Sequence, residues 1–254
     1  MAIAERFMLR ALALAERGRG YTGTNPLVGA VVVHGSRVVG EGWHVRYGGP
    51  HAEAVALASA GDRARGATLY VTLEPCSRMG KMPPCTRMVI QSGIRRVVVA
   101  LRDPLERGRG LAELRRHGIQ AKAGVLERQA RAQNHEWFVR LRTRRPYVIL
   151  KLATTLDGRI ADARRRSKWI TSPAARNWTR QLRRRVDAVM VGAGTAIADD
   201  PRLTAPGRTD GPIRIVVDGR ARLGLKARLL RGGNAIMVVS AKAPRARVGS
   251  LRAA

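Results

Sequence analysis

His51-Ala-Glu53, followed by Thr68-Leu-Tyr-Val-Thr-Leu-Glu-Pro-Cys76 and, after eight intervening residues, Cys85, is the stretch on which the reading of this chain turns. Thr68 to Leu73 is an apolar, β-branched run that predicts a buried strand. Glu74-Pro75-Cys76 then falls at that strand's C-terminal end, where sites in α/β sheets form. Pro50 precedes an alanine-rich segment, His51 to Ser59, and fits the start of a helix. His51 and Glu53 are expected in its first turn, about 200° apart around the axis. Pro83-Pro84-Cys85 starts a further helix, roughly Pro84 to Ser92 and ended by Gly93, whose first turn favours a thiolate.

Cys76 and Cys85 are the only cysteines in 254 residues. Each alone reads as a buried apolar residue or a free thiol. Together with the histidine they make a three-ligand set for zinc, with the fourth position left to water. Glu53 is not needed as a ligand. It can take a proton from the attacking water and return one to a leaving amine. That is the chemistry of hydrolytic deamination, whose usual signature is H-x-E followed by P-C-x-x-C. The thiol spacing here is wider.

Upstream, Ala2 to Arg17 has helical amphipathicity, with Ile3, Phe7, Ala11 and Leu14 on one face. Leu27 to Val33 and Ser36 to Glu41 predict paired strands around the His34-Gly35 turn. Asn25, before Pro26, reads on its own as a turn former at a strand entrance. Downstream, Arg95 to Leu101 predicts a strand, Leu111 to His117 a helix, and Leu126 to Arg142 one longer helix. Thr143-Arg-Arg-Pro146 marks a boundary, since proline disfavours helical continuation. Tyr147 to Leu152 is expected to open a second domain as a strand. The expected domains are 1–145 and 146–254.

The chain carries 48 basic and 18 acidic residues, a formal charge of +30, and 42 of the basic residues are arginine. The excess is spread over both halves, so it is not a tail. It fits phosphorylated ligands, or an arginine-rich composition placed on solvated faces. Nucleic-acid binding is the weaker reading, because only ten aromatics are available for stacking. No apolar run reaches the ~18 residues of a membrane helix. The N-terminus lacks a signal peptide's apolar region, so a cytoplasmic protein is expected.

Asn25-Pro-Leu-Val-Gly29, Gly42-Trp-His44, His51-Ala-Glu53 and Pro75-Cys-Ser-Arg-Met-Gly-Lys-Met-Pro-Pro-Cys85 closely resemble one branch of the cytidine-deaminase-like superfamily. That branch is the deaminase domain of the bifunctional riboflavin-biosynthesis deaminase–reductases. The resemblance implies a three-layer α/β/α domain with His51, Cys76 and Cys85 on zinc and Glu53 as proton shuttle. It further implies that Asn25, His44 and Lys81 hold the pyrimidine and its ribosyl phosphate. The chain departs from the family at Arg78 (commonly histidine) and Met82 (commonly threonine). It departs again in the shortened loop Asp103-Pro-Leu-Glu-Arg-Gly-Arg-Gly110.

The second half resembles the reductase domain of the same family, an α/β fold like that of dihydrofolate reductase. The matching stretches are Leu150-Lys-Leu-Ala-Thr-Thr-Leu-Asp-Gly158, Ser167-Lys-Trp-Ile-Thr171, Asp187-Ala-Val-Met-Val-Gly-Ala-Gly-Thr195 and Ala198-Asp-Asp-Pro-Arg-Leu-Thr204. By position, Ala153, Trp169, Thr195 and Asp199 are expected at NADPH, and Ser167, Arg183 and Leu203 at the substrate. Without the resemblance, Gly192-Ala-Gly194 is a turn or a weak phosphate cradle, and Arg183 to Arg185 a solvated face. The resemblance also implies strands beyond Ala254. The reductase fold is therefore expected to be incomplete and its activity impaired, unless a complementing subunit or a homo-oligomer supplies them.

The function these readings imply is zinc-dependent deamination of a phosphoribosylated diaminopyrimidine, with NADPH reduction of its ribosyl group as the weaker part. The alternatives are a paralogous deaminase acting on a related pyrimidine in a pteridine-like pathway, and an editing deaminase.

Overall fold

The computed structural model describes residues 2–80, 83–164, 166–207 and 211–253. The chain divides into two compact units, Met1–Ile149 and Leu150–Ala254.

The first unit is built on five strands: β1 (Gly29–His34), β2 (Arg37–Trp43), β3 (Thr68–Leu73), β4 (Arg96–Leu101) and β5 (Gln120–Ala123). Their order is β2-β1-β3-β4-β5, with β1 antiparallel to β2 and β3, and β3, β4 and β5 mutually parallel. The near-continuous apolar runs of β1, β3 and β4 follow from burial on both faces. Ala30, Val32, Leu69, Val71, Val97 and Val99 meet helices α2 (Ala52–Ala60), α3 (Cys85–Gln91) and α4 (Arg109–Arg116) on one face. The alternate residues Val31, Val33, Tyr70 and Val98 meet α1 (Ile3–Glu16), α5 (Glu127–Gln133) and α6 (His135–Thr143) on the other. These are the three expected layers.

Two features fix where the catalytic candidates lie. Leu73 and Leu101 are register partners at the ends of β3 and β4, so the loops that follow start side by side. Gly42 on β2 lets α2 approach so closely that a Cβ there would sit 2.5 Å from the carbonyl of Ala52. The N-terminus of α2 is thereby held against the sheet.

The single helix expected over Leu126 to Arg142 is two. Asn134 breaks it, because its side chain works as a peptide surrogate. Its Oδ1 accepts the Leu27 N–H at 2.7 Å and its Nδ2 donates to the Leu27 carbonyl at 3.0 Å. These bonds anchor the entry to β1. β5, with its sequence Gln-Ala-Lys-Ala, was not anticipated. It is a short, half-exposed edge strand with no β-branched residue.

The second unit contains a parallel sheet β6-β7-β8, of β6 (Ala188–Gly192), β7 (Ile213–Val217) and β8 (Ala235–Val238). Its helices are α7 (Pro173–Leu182), α8 (Ala193–Asp199) and α9 (Arg245–Ala253), with a small core of Ala196, Val216, Leu223 and Leu229. Ser172 caps α7 by accepting the Ala175 N–H, with Pro173 in the first turn. The strand expected over Tyr147 to Leu152 does not form. Among the described residues no strand pairs with it, and without a partner its backbone groups stay with solvent, leaving Val148 and Leu150 exposed.

Candidate metal centre

His51, Cys76 and Cys85 converge. His51 is the N-cap of α2 with extended backbone, not a residue of the first turn as its sequence position predicted, and this turns its ring toward the thiols. Cys76 sits in the loop after β3, and Cys85 is the first residue of α3. His51 Nδ1 lies 3.2 Å from Cys85 Sγ and 3.6 Å from Cys76 Sγ, and all three ligand atoms fall within 4.8 Å of one another. Tetrahedral zinc with ordinary bond lengths needs nitrogen–sulfur separations of about 3.6 Å. The set therefore fits zinc with adjustments of a few tenths of an ångström. Backbone groups hold the loop in place: the Cys85 N–H donates to Cys76 Sγ at 3.3 Å, and the Thr86 N–H to the Cys76 carbonyl at 3.1 Å.

The electrostatics suit a cation. The hydrogen bond from the Cys85 thiol, with that from His51, holds the Cys76 thiol far below its ordinary value despite burial. The same bond to Cys76, then burial and the nearby Glu53, push Cys85 up. The helix-terminal thiol is thus the one that keeps its proton, because its partner already receives three donors. Burial raises the Glu53 carboxyl to about 7, and the side chain is only 3% exposed. A buried carboxyl poised there can both accept and donate a proton at neutral pH.

Asn25 and His44 are brought to this centre as a pair. His44 Nδ1 lies 2.9 Å from the Pro50 carbonyl, which can only accept, so Nδ1 carries the proton. Nε2 is then the acceptor for the Asn25 amide at 3.0 Å. Burial lowers the His44 pKa, with His51 adding to the shift against the Pro50 bond, so the ring is neutral. Its edge packs on the His51 ring at 5.8 Å between centroids. Lys81 and Met82 lie outside the described residues.

Three further residues brace the centre. Glu74 is buried, and its carboxylate accepts the Asp103 N–H at 3.2 Å and the Leu111 N–H at 3.1 Å, tying the loops after β3 and β4 together. Gly110 passes so near that a Cβ there would lie 2.1 Å from the Pro75 carbonyl. Glu106 accepts the Ser77 N–H at 3.2 Å, the Ser77 hydroxyl at 2.5 Å and Arg78 Nε at 3.3 Å. Burial pushes Glu106 up, but the Ser77 and Arg78 bonds outweigh it and leave the carboxyl below its ordinary value. Arg78 and the 103–110 loop, the two places where a departure from the resembled family was expected, are therefore partners. The one available sequence signal was a lone glutamate in that loop, opposite an unexpected arginine.

In the second unit the expected residues gather only in part. Lys168, between Ser167 and Trp169, pairs with Asp199 at 3.8 Å, and Arg183 donates to the carbonyl of Thr204, beside Leu203, at 3.4 Å. Trp169 is 68% exposed with the Arg176 guanidinium over its ring, Thr195 is exposed and Ala153 half-buried. Among the described residues, a Cβ at Gly192 or Gly194 would meet nothing within 4 Å, so no close backbone approach there requires either glycine. Asp199 is half-buried and Leu203 buried, so these positions range from buried to exposed on the second unit.

Comparison with known proteins accounts for both units. Residues 1–101 match the cytidine and deoxycytidylate deaminase zinc-binding region, and residues 146–252 match the RibD C-terminal domain. The riboflavin biosynthesis protein RibD of Aquifex aeolicus is 47% identical over 245 residues, which cover 94% of this chain and 68% of that protein. The chain belongs to the RibD family. Escherichia coli RibD is 45% identical over 235 residues, with 86% of this chain and 64% of the relative covered. A Thermotoga maritima deaminase–reductase crystal structure superposes with a TM-score of 0.87 at 44% identity, covering 95% of this chain and 71% of the other. The chain thus spans roughly two thirds of the length of its RibD relatives. His51, Glu53, Cys76 and Cys85 all fall inside the matched zinc-binding region. Among the described residues, no helix is long and apolar enough to cross a membrane.

Proposed function

We propose that the first unit catalyses zinc-dependent hydrolytic deamination of a phosphoribosylated diaminopyrimidine in riboflavin biosynthesis. The observation that carries this reading is the convergence of His51, Cys76 and Cys85 beside a buried Glu53 whose carboxyl sits at about 7. Zinc held by the three ligands supplies the Lewis acid that activates water. Glu53 takes the water proton as oxygen attacks the amine-bearing ring carbon, and passes a proton to the nitrogen as the carbon–nitrogen bond breaks and ammonia leaves. Asn25, oriented by His44, presents its amide to the pyrimidine, and Lys81 supplies a point charge for the ribosyl phosphate. A reducing cytoplasm would keep both thiols available to the metal.

For the second unit, the family reading assigns Ala153, Trp169, Thr195 and Asp199 to NADPH and Ser167, Arg183 and Leu203 to the ribosyl substrate.

The test is ammonia release from the phosphoribosyl diaminopyrimidine by the zinc-loaded chain and by Glu53→Gln. The variant should keep its zinc and lose about 10²-fold or more in kcat. Normal turnover by Glu53→Gln would sink the mechanism. Deamination of a related pyrimidine in place of this one would instead favour a paralogue, a reading motivated by the altered loop at Arg78 and Glu106.

A further inference from the structure

Arg78, in the thiol loop, and residues 104–109 form a cationic pocket. A cavity of about 310 Å³ is lined by Arg78, Pro104, Leu105, Arg107 and Arg109. That volume is within the range of small-ligand sites. Two of the arginines are drawn together by one acceptor: Arg78 Nη2 and Arg109 Nη2 donate to the Leu105 carbonyl at 3.0 and 2.9 Å. A neutral carbonyl does not offset two guanidinium charges. Arg107 has no side-chain hydrogen bond or ion pair among the described residues.

The acidic groups nearby are few and engaged. Glu106 meets only Arg78 among the three, and is already shared with both donors of Ser77. Asp103 turns its carboxylate to the Leu105 N–H at 2.7 Å. Glu113 lines the adjoining depression together with Arg109 and Arg116. Counting Arg78, Arg107, Arg109 and Arg116 against Asp103, Glu106 and Glu113 leaves a local surplus of one positive charge, and the residues that line the cavity itself include three arginines and no carboxylate.

We propose that Arg78, Arg107 and Arg109 form a binding site for a phosphate monoester. Guanidinium forks favour bidentate oxyanions, and the three acceptor oxygens of a phosphate monoester can meet three arginines where a carboxylate offers only two. The site stands on the loop geometry and not on the zinc chemistry. It is also separate from Lys81, to which the family resemblance assigns the substrate phosphate. Arg78 and Ser77 immediately follow Cys76, and both bond to Glu106, so an anion at Arg78 acts on the segment that presents a zinc thiol. Two sources share this chemistry: the phosphoryl end of the proposed substrate, and free phosphate. Only the first rests on the deaminase reading.

The test is calorimetric titration of the full zinc-loaded chain with inorganic phosphate at low ionic strength, for the unmodified chain, Arg107→Ala/Arg109→Ala and Lys81→Ala. Both loop arginines are exposed, and unchanged zinc content and circular dichroism would show the double variant folded. Saturable binding by the unmodified chain and by Lys81→Ala is expected, weakened about tenfold or more in the double variant. Absence of saturable binding in the unmodified chain would overturn the proposal. So would equal binding by the double variant, or loss confined to Lys81→Ala. A second arm separates the sources: phosphate that competes with the phosphorylated pyrimidine in deamination identifies the site as the substrate's, and phosphate that binds without competing identifies a free-anion site. If no deamination is seen at all, the calorimetry still decides whether the site exists.

Discussion

His44 Nε2 accepts the Asn25 amide at 3.0 Å, and His44 has no ring nitrogen left for a ligand because Nδ1 is committed to Pro50. Under the proposed function, we assign Asn25 as the residue that contacts the pyrimidine and His44 as its positioning partner. His44→Ala and Asn25→Ala should each raise KM about tenfold with zinc content unchanged, the worth of one lost oriented hydrogen bond. The double variant should lose little more than either single one, since both remove the same interaction. Additive losses would show that the two residues act separately. The nitrogen-15 spectrum of His44 should show a protonated Nδ1.

Gly42 is where packing and chemistry meet. A Cβ there would lie 2.5 Å from the Ala52 carbonyl and 2.5 Å from the Ala56 nitrogen, both backbone atoms of α2. The helix must shift, and His51 at its N-cap shifts with it. Gly42→Ala should destabilise the first unit by about 1–3 kcal/mol, as overpacking does, and weaken zinc in a chelator competition. Gly80→Ala is the control, because a Cβ at that glycine would meet nothing within 4 Å among the described residues. Equal zinc affinity in the two variants would rule out Gly42 as the element that seats His51.

What could be read in the sequence was what is local or chemically unusual. His51, Glu53, Cys76 and Cys85 stood out because few other needs place those four groups together, and β3 matched its expected bounds because its apolar run is uninterrupted. What could not be read depends on distant partners. Asn134 breaks a well-patterned helix to bind Leu27, 107 positions away. Glu106 matters through Ser77 and Arg78, across the neighbouring loops after β3 and β4. β5 exists because β4 offers it a ladder, not because Gln-Ala-Lys-Ala prefers extension. Tyr147 to Leu152 has strand propensity but no partner strand among the described residues.

Removing the metal should loosen the first unit. Cys85 is fully buried, and His51 and Cys76 join its α3 to α2 and to the loop after β3. Zinc binds the folded arrangement in preference to the unfolded chain, so at a thousandfold excess over Kd it adds at most about 4 kcal/mol. Chelation should lower the midpoint of the first unit's unfolding, and Cys85→Ser should abolish the response to added zinc. An unchanged midpoint on chelation would mean the centre plays no part in stability.

In the second unit, Asp218 is fully buried and accepts the Leu223 N–H at 2.9 Å and Arg222 Nε at 3.2 Å. Burial raises its pKa, but the bonds from Leu223 and Arg222 outweigh this and hold the carboxyl below its ordinary value. A depressed carboxyl contributes stability that is present above the unfolded pKa of ~4 and is lost as pH falls through the folded value. Protection of the Leu223 amide in hydrogen exchange should therefore be constant at neutral pH and fall on acidification below that range. Asp218→Ala leaves the Leu223 N–H without its acceptor and should cost about 1–3 kcal/mol at pH 7. Asp218→Asn keeps one acceptor oxygen and should cost less, and in both variants the acid-dependent loss attributable to this carboxyl should disappear. A Leu223 amide equally protected in Asp218→Ala and the unmodified chain would show that the carboxylate does not hold the turn after β7.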